Sequence, residues 1–309
     1  MSVGTEHRLK AAAYVVSAVG FASAQDAIVK QLAGSLPAYE TVIIRGLVGL
    51  PILAIWLALT DGFSAFRNRV MVPLVVRGFV LCSAYFAFIL ALAAMPIANG
   101  VSIYFTMPFF VAMLAGPFLG ERVPLYRWLA ITAAFLGVLI MVQPGATTFE
   151  PASLLALYSA FGYAVGQMMG RHYSQTIPPL ALANVQNWVY LFVAVVLCVV
   201  FQGFGVHLTG HKSLEFLSRA AIWPSLNDFL LLCAMGVFAA IGSVLFTSAY
   251  KNASSSFVAP FEYTAMIWAV SYGMVLFGDF PSALTWAGMA IVILAGLFMT
   301  WRDARHRTG

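Results

Sequence analysis

The chain has 309 residues, 62% of them hydrophobic and only 9% charged, and a net charge of +5. That composition leaves too little polar surface to cover a soluble globule of this length, so the chain belongs in a lipid bilayer. The positive excess reads as the topological bias of a membrane protein and not as a nucleic-acid footprint, and no nucleic-acid partner is expected.

A membrane-spanning helix needs roughly 20 mostly apolar residues. In chain order such runs fall at 10–30, 39–60, 71–93, 97–118, 124–143, 151–171, 179–202, 228–250, 254–277 and 282–301. They are too long and continuous for the strands of an outer-membrane barrel, each about ten residues of alternating pattern. A helix satisfies its own backbone in lipid, so the expected fold class is an all-α integral membrane protein with ten transmembrane helices. With the N-terminus inside, the cytoplasmic segments hold Arg8, Lys10, Arg67, Arg69, Arg77, Arg122, Arg127, Arg171, Lys251, Arg302, Arg305 and Arg307, while Lys30, Lys212 and Arg219 fall outside. This asymmetry predicts a multi-pass protein of the bacterial cytoplasmic membrane with both termini cytoplasmic. Arg8, Lys10, an apolar stretch and Ala22-Ser23-Ala24 imitate a cleavable leader. The first run nevertheless has a counterpart in the second half, which favours its retention as a span.

That counterpart is a faint duplication. Residues 21–45 (FASAQDAIVKQLAGSLPAYETVIIR) align without a gap on 162–186 (GYAVGQMMGRHYSQTIPPLALANVQ), placing Asp26 on Gln167, Lys30 on Arg171, Pro37 on Pro178 and Arg45 on Gln186. A looser match sets GERVPLYRW at 120–128 over GDFPSALTW at 278–286, pairing Glu121 with Asp279. Five spans per half is an odd number, so the halves enter the membrane in opposite senses. Units at 10–143 and 151–301 are therefore expected as two inverted five-helix repeats around a central cavity, with a site near the midplane.

Ionisable groups within spans are costly, at least about 2.5 to 3.5 kcal/mol each near a helix centre, and persist only with a partner, water or a function. Asp26, Glu40, Arg45 and Glu262 are the four to explain. Lys30 lies four residues after Asp26, so the two can neutralise each other on one helix face; the alternative is that Asp26 recognises a cation or proton. Arg45 either snorkels to the headgroups or anchors a substrate carboxylate or phosphate through its planar fork. Glu262 follows Pro260, which frees a carbonyl and bends its helix; it serves either as a binding or proton-coupling group or as a satisfied structural carboxylate. Tyr85, Tyr104, Thr106, Asn187, Trp188, Tyr263 and Trp268 are candidates for the cavity wall, where aromatic faces suit a ring-bearing or cationic substrate; the competing reading for each is a lipid-facing or interfacial position.

Gly162, Gly166 and Gly170 recur every four residues and predict close helix packing. Residues 203–227 form the longest external connection, where Leu214, Leu217, Ala221 and Ile222 follow helical spacing, so a short interfacial helix is expected. Cys82, Cys198 and Cys233 are isolated, the five histidines lie in loops or tails, and there is no P-loop. No cofactor, metal site or ATP coupling is expected, and the chain is not read as an enzyme. Its expected partners are a small-molecule substrate, a coupling proton or counter-substrate, and the lipid bilayer. A monomer suffices.

The paired halves, MPIANG at 95–100 followed by YFTMPFF at 104–110, FLGERVPLYRW at 118–128 and APFEYTAMIWA at 259–269 resemble EamA-type members of the drug/metabolite transporter superfamily over nearly the whole chain. The resemblance implies ten helices, a central cavity and alternating access. DAIVKQL at 26–32, Glu40, Arg45 and VVRGF at 75–79 look most like the branch that takes up S-adenosylmethionine or riboflavin. The expected function is secondary active transport of a small organic metabolite: amino-acid-like, nucleoside or cofactor, or vitamin. The alternatives are export of amino acids or drugs and, from another class, a polytopic membrane enzyme or lipid-handling protein.

Overall fold

The computed structural model describes residues 3–60, 62, 71–119, 124–143, 149–173, 177–252, 258 and 261–306. Among these residues every regular element is a helix: α1 Val3–Leu32, α2 Ala38–Thr60, α3 Met71–Ala94, α4 Ile97–Tyr104, α5 Met107–Leu119, α6 Leu125–Val142, α7 Ala152–Tyr173, α8 Pro179–Phe204, α9 Lys212–Ser218, α10 Leu226–Asn252, α11 Thr264–Phe277 and α12 Ala283–His306. Eight described segments are long and apolar enough to cross a membrane, α4 and α5 together supplying one of them. The helix α7 has comparable length but is more polar, carrying Ser153, Ser159, Gln167 and Arg171, and α11 is a shorter apolar helix. Glu121, Pro260 and part of the ninth predicted run lie outside the described residues.

Proline and glycine punctuate the helices as their backbone chemistry requires. Pro96, Pro124 and Pro178 stand at the N-caps of α4, α6 and α8, positions where a missing N–H costs no helical hydrogen bond. Gly205 and Gly278 close α8 and α11 in the left-handed conformation, at φ of 61° and 66°, which glycine adopts without a Cβ penalty.

The helices pack in a recurring set of pairs. α1 lies against α10 and α11, α2 against α8 and α10, α3 against α7 and α8, α4 against α7 and α11, α5 against α7, and α6 against α12. One core joins α3, α4 and α6 to α11 and α12 through residues such as Leu92, Ile97, Ile131, Met266 and Val292; another joins α1, α2 and α3 to α8, α9 and α10 through Leu32, Tyr39, Ile89, Phe216 and Met235.

The glycine stripe on α7 meets the expectation of close packing. An added Cβ on Gly162 would come within 2.8 Å of the Ala84 methyl, and Gly170 faces the Arg77 guanidinium. Arg77 sits in a cytoplasmic segment in the charge reading, yet it is buried between α3 and α7, where its Nε donates to Gly166 O at 3.0 Å. The missing side chain at Gly170 opens that space, and the Gly166 carbonyl supplies the acceptor that a buried cation needs.

The connection at 203–227 is only partly helical. α9 ends at Ser218, with Arg219 as its extended C-cap, so Ala221 and Ile222 lie beyond it. Phe216 is its fully buried anchor and Leu214 is exposed. His211 caps the helix by accepting from Ser213 N at 3.2 Å, and its other ring nitrogen lies 2.8 Å from Glu150 Oε1.

The α3–α7 contact gives a direct test. Gly162→Leu forces side-chain atoms into Ala84 and is expected to destabilise the detergent-solubilised protein by about 1 to 3 kcal/mol. Gly203→Leu, at a site with nothing within 4 Å, is expected to stay within about 0.5 kcal/mol. Melting monitored by size-exclusion chromatography compares the two; equal losses contradict the packing account.

Candidate functional site

The helices line a partly open cavity of ≈ 300 Å³. Its walls come from α1, α2, α3, α4, α5, α7 and α10 and from residues 262 and 265. The volume matches the lower end of the range for small-molecule sites. Five of the sequence-derived candidates line it: Asp26 on α1, Arg45 on α2, Tyr85 on α3, Tyr104 at the end of α4, and Glu262.

Arg45 is held on an aromatic platform. Its guanidinium carbon lies 4.8 Å from the centroid of the Tyr85 ring, a cation-π arrangement that favours the charge most where water is scarce. Tyr85 in turn stacks on Tyr190, with centroids 5.2 Å apart and planes at 23°. Tyr190 is fixed by donating to Leu81 O at 2.9 Å and by accepting from Gln186 Nε2 at 3.1 Å. Arg45 and Gln186 therefore brace the same pair of rings. The Arg45 Nε atom is buried without a hydrogen-bond partner, and so is Glu40 Oε2. The five-residue offset between Glu40 and Arg45 does not bring these two atoms together.

Tyr104 and Tyr163 form the next part of the wall, edge to face with centroids 5.3 Å apart, and Tyr104 also contacts Phe88 at 5.1 Å. One basic group, Arg45, and two carboxyl groups, Asp26 and Glu262, line the cavity together.

A break in the helix pair α4–α5 shapes the floor. The helix interrupts at Phe105 and Thr106, and Thr106 Oγ1 donates to Ile103 O at 2.7 Å. Residues 261–262 are helical and Tyr263 is a turn before α11 begins; there Thr264 Oγ1 donates to Phe261 O at 2.7 Å. The two interruptions meet, with the Phe105 and Tyr263 rings 5.1 Å apart. Met107 and Pro108 at the start of α5 reach the cavity wall.

The remaining candidates lie elsewhere. Tyr263 is buried in the core against Phe105 and beside Gly296. Trp268 packs over Gly20 and stacks on Tyr272 at 6.0 Å. Asn187 donates back to Ala183 O at 2.9 Å within its own helix. Trp188 is 60% exposed and lines an outward apolar groove with Phe79 and Phe192. Thr106 is buried at the helix break. Lys30 does not pair with Asp26: its Nζ lies 2.6 Å from Asp279 Oδ2 and 3.0 Å from Met95 O, and sits 5.1 Å from the Phe277 ring centroid. The expected local pair loses to a partner 249 residues away, because the α1 terminus abuts the segment after Gly278. Sequence reasoning missed Tyr163, Gln25 and Phe105. Tyr163 was accessible through the duplication, since it falls one helical turn before Gln167, the counterpart of Asp26.

Comparisons with known proteins agree with this architecture. The sequence matches the EamA-like transporter family twice, over residues 9–143 and 151–301. It is 27% identical over 88% of its length, and 89% of the relative's, to the pseudopaline exporter CntI of Pseudomonas aeruginosa. It is 29% identical over 69% of this chain and 65% of the other to a riboflavin transporter of Vibrio cholerae, and 22% identical over 92% and 90% to an S-adenosylmethionine uptake transporter of Rickettsia bellii. A solved crystal structure superposes with a TM-score of 0.61 over 96% of this chain and 98% of that one, at 17% identity, a likeness of fold. The chain is a multi-pass membrane protein and belongs to the EamA-like transporter family.

Proposed function

We propose that the chain is a secondary active transporter that moves a small organic metabolite across the bacterial cytoplasmic membrane by alternating access, its ten spans forming two inverted five-helix repeats. The observation that carries the reading is the central cavity, lined by Asp26 and Arg45 from one family-matching segment and by Glu262 from the other. Intramembrane charges facing a cavity mark a solute pathway more readily than a structural core.

The packing pattern supports the duplication. Let α1, α2, α3, α4–α5 and α6 exchange with α7, α8, α10, α11 and α12. The contact α1·α10 then becomes α7·α3, α2·α10 becomes α8·α3, and α1·α11 becomes the contact of α7 with α4 and α5. The pairs α2·α8, α4·α11 and α6·α12 map onto themselves. The two helix breaks and their threonine hydrogen bonds correspond under the same exchange. Interrupted helices at a repeat interface place backbone dipoles and polar side chains at mid-membrane, as transport sites require.

Contacts on the proposed external side support a state closed to the outside. Lys30 ties the end of α1 to Asp279 and to Met95 O, and Arg219 Nη1 donates to Ala33 O at 2.9 Å. Ser213 Oγ reaches Leu90 O at 2.7 Å. On α1 the cavity wall runs from Val29 down to Val19, away from Lys30. Asp26 and Glu262 outnumber Arg45 among the described ionisable lining residues, so proton binding at a carboxylate offers a route to coupling. Relatives are named both as exporters and as uptake transporters; direction here follows the gradient the protein uses.

Flux of labelled metabolites into proteoliposomes tests the function. Saturable uptake is expected for the parent, with at least about tenfold lower rates for Arg45→Ala and Glu262→Gln; no saturable flux of any amino acid, nucleoside, cofactor or vitamin contradicts the reading. The external tie is tested separately in a background without native cysteines. Asp279→Asn is expected to raise labelling of Gln25→Cys by an impermeant maleimide added outside. The double reversal Lys30→Asp with Asp279→Lys is expected to return labelling toward the parent level, and unchanged labelling throughout removes the gate.

A further inference from the structure

We infer that the outward groove where α6 begins and α12 ends holds one acidic phospholipid, with its phosphate on Arg302 and an acyl chain along the apolar side chains of the two helices. The groove has a volume of ≈ 460 Å³ and is lined by Leu125, Tyr126, Leu129, Phe298, Trp301 and Arg302. It follows from how this helix pair packs. Further along both helices the backbones approach closely, since an added Cβ on Gly137 would come within 2.9 Å of Gly288 O. At the groove the pair presents Tyr126, Phe298 and Trp301 instead, and rings hold helices apart where glycines let them meet. The Phe298 and Trp301 rings stand 6.3 Å apart on the α12 side.

One end of the groove is cationic and the rest is apolar, which is the shape of a phospholipid. Both helices are apolar enough to cross a membrane, so their exposed surface meets lipid. Leu125 is 74% and Leu129 61% exposed, and exposed apolar side chains continue away from the groove at Leu136 and Leu139 on α6 and at Leu294 and Leu297 on α12. At the polar end the Arg302 guanidinium carbon lies 5.6 Å from the centroid of the Tyr126 ring. A cation-π contact uses none of the five guanidinium donors, so the planar fork is kept for a phosphate. The sequence adjoining the two helix ends is basic, with Arg122, Arg127, Arg302, Arg305 and Arg307 against Glu121 and Asp303. That excess attracts a headgroup of net negative charge and gives no counter-charge to the ammonium of a zwitterionic one. Inorganic phosphate would leave the apolar walls uncovered. The groove at Val75, Phe79, Trp188 and Phe192 is lined by apolar residues throughout, so a lipid tail can cover it but nothing there selects a headgroup. On the charge bias of the chain, the α6–α12 site faces the cytoplasmic leaflet.

Native mass spectrometry of the purified full-length chain, with phosphatidylglycerol and phosphatidylcholine in equal amounts, tests the inference. The first bound lipid is expected to be phosphatidylglycerol, preferred by about fivefold or more, the scale of one basic residue beside an acidic headgroup. Arg302→Ala should weaken phosphatidylglycerol by about fivefold and leave phosphatidylcholine unchanged, which also reports that the variant is folded. Arg302→Lys keeps the charge without the fork and should fall between the two. Arg8→Ala, a basic residue near the opposite end of the chain, should keep the parent preference. In the parent chain, phosphatidylglycerol with a photoreactive acyl chain should crosslink to peptides holding Leu125–Leu129 or Phe298–Arg302. Equal retention of the two lipids, equal losses in Arg302→Ala and Arg8→Ala, or crosslinks confined to other peptides overturns the inference. A dimer mass that carries no lipid, with crosslinks between two copies at Leu129 or Phe298, would show that a second copy of the chain covers the groove and would overturn it as well.

Discussion

A charge inside a bilayer survives only beside a counter-charge, an aromatic face, a carbonyl or trapped water, and the arrangement of this protein follows from how its few charges meet that condition. Arg77 finds Gly166 O, Lys30 finds Asp279 and Met95 O, and Arg45 finds the Tyr85 ring. Each of these solutions ties together different elements of the chain. Asp26 and Glu262 line the cavity together with Arg45.

Packing makes these encounters geometrically available. Without a hydrophobic drive between helices in lipid, close approach comes from small residues and van der Waals contact. The α7 glycines bring α3 near enough for Arg77 to reach a backbone carbonyl, and Tyr85 of α3 and Tyr163 of α7 both line the cavity. The breaks at Phe105–Thr106 and at Tyr263 interrupt the helices where they cross the cavity. The side-chain hydroxyls of Thr106 and Thr264 donate to Ile103 O and Phe261 O beside the breaks.

Much of this was legible in the sequence because lipid imposes a simple grammar. Long apolar runs announced the helices, the α7 glycines announced a close contact, and Asp26, Arg45, Glu262, Tyr85 and Tyr104 stood out as polar or aromatic residues within spans and do converge on one cavity. Local spacing failed where a distant segment offered a better partner. Lys30 sits at helical distance from Asp26, yet the end of α1 meets the turn after Gly278, so Asp279 takes it. Periodicity also fails to say which face of a helix meets lipid in an apolar span, where every face is hydrophobic. Trp188 thus turns outward with Phe79 and Phe192, and Trp268 covers Gly20. The interfacial helix came out short because Arg219 leaves helical geometry and donates to Ala33 O.

The central claim is that the two halves rearrange around this cavity to expose it to alternate sides. Spin labels at Gly34→Cys, beyond α1, and Ser282→Cys, before α12, report the external gap in a background without native cysteines; both positions are exposed. Pulsed electron-electron resonance in lipid, with and without a transported solute and across a proton gradient, measures that distance directly. The account predicts two distance populations whose proportions change with solute or gradient. One distribution, unchanged under every condition that supports flux, would contradict it.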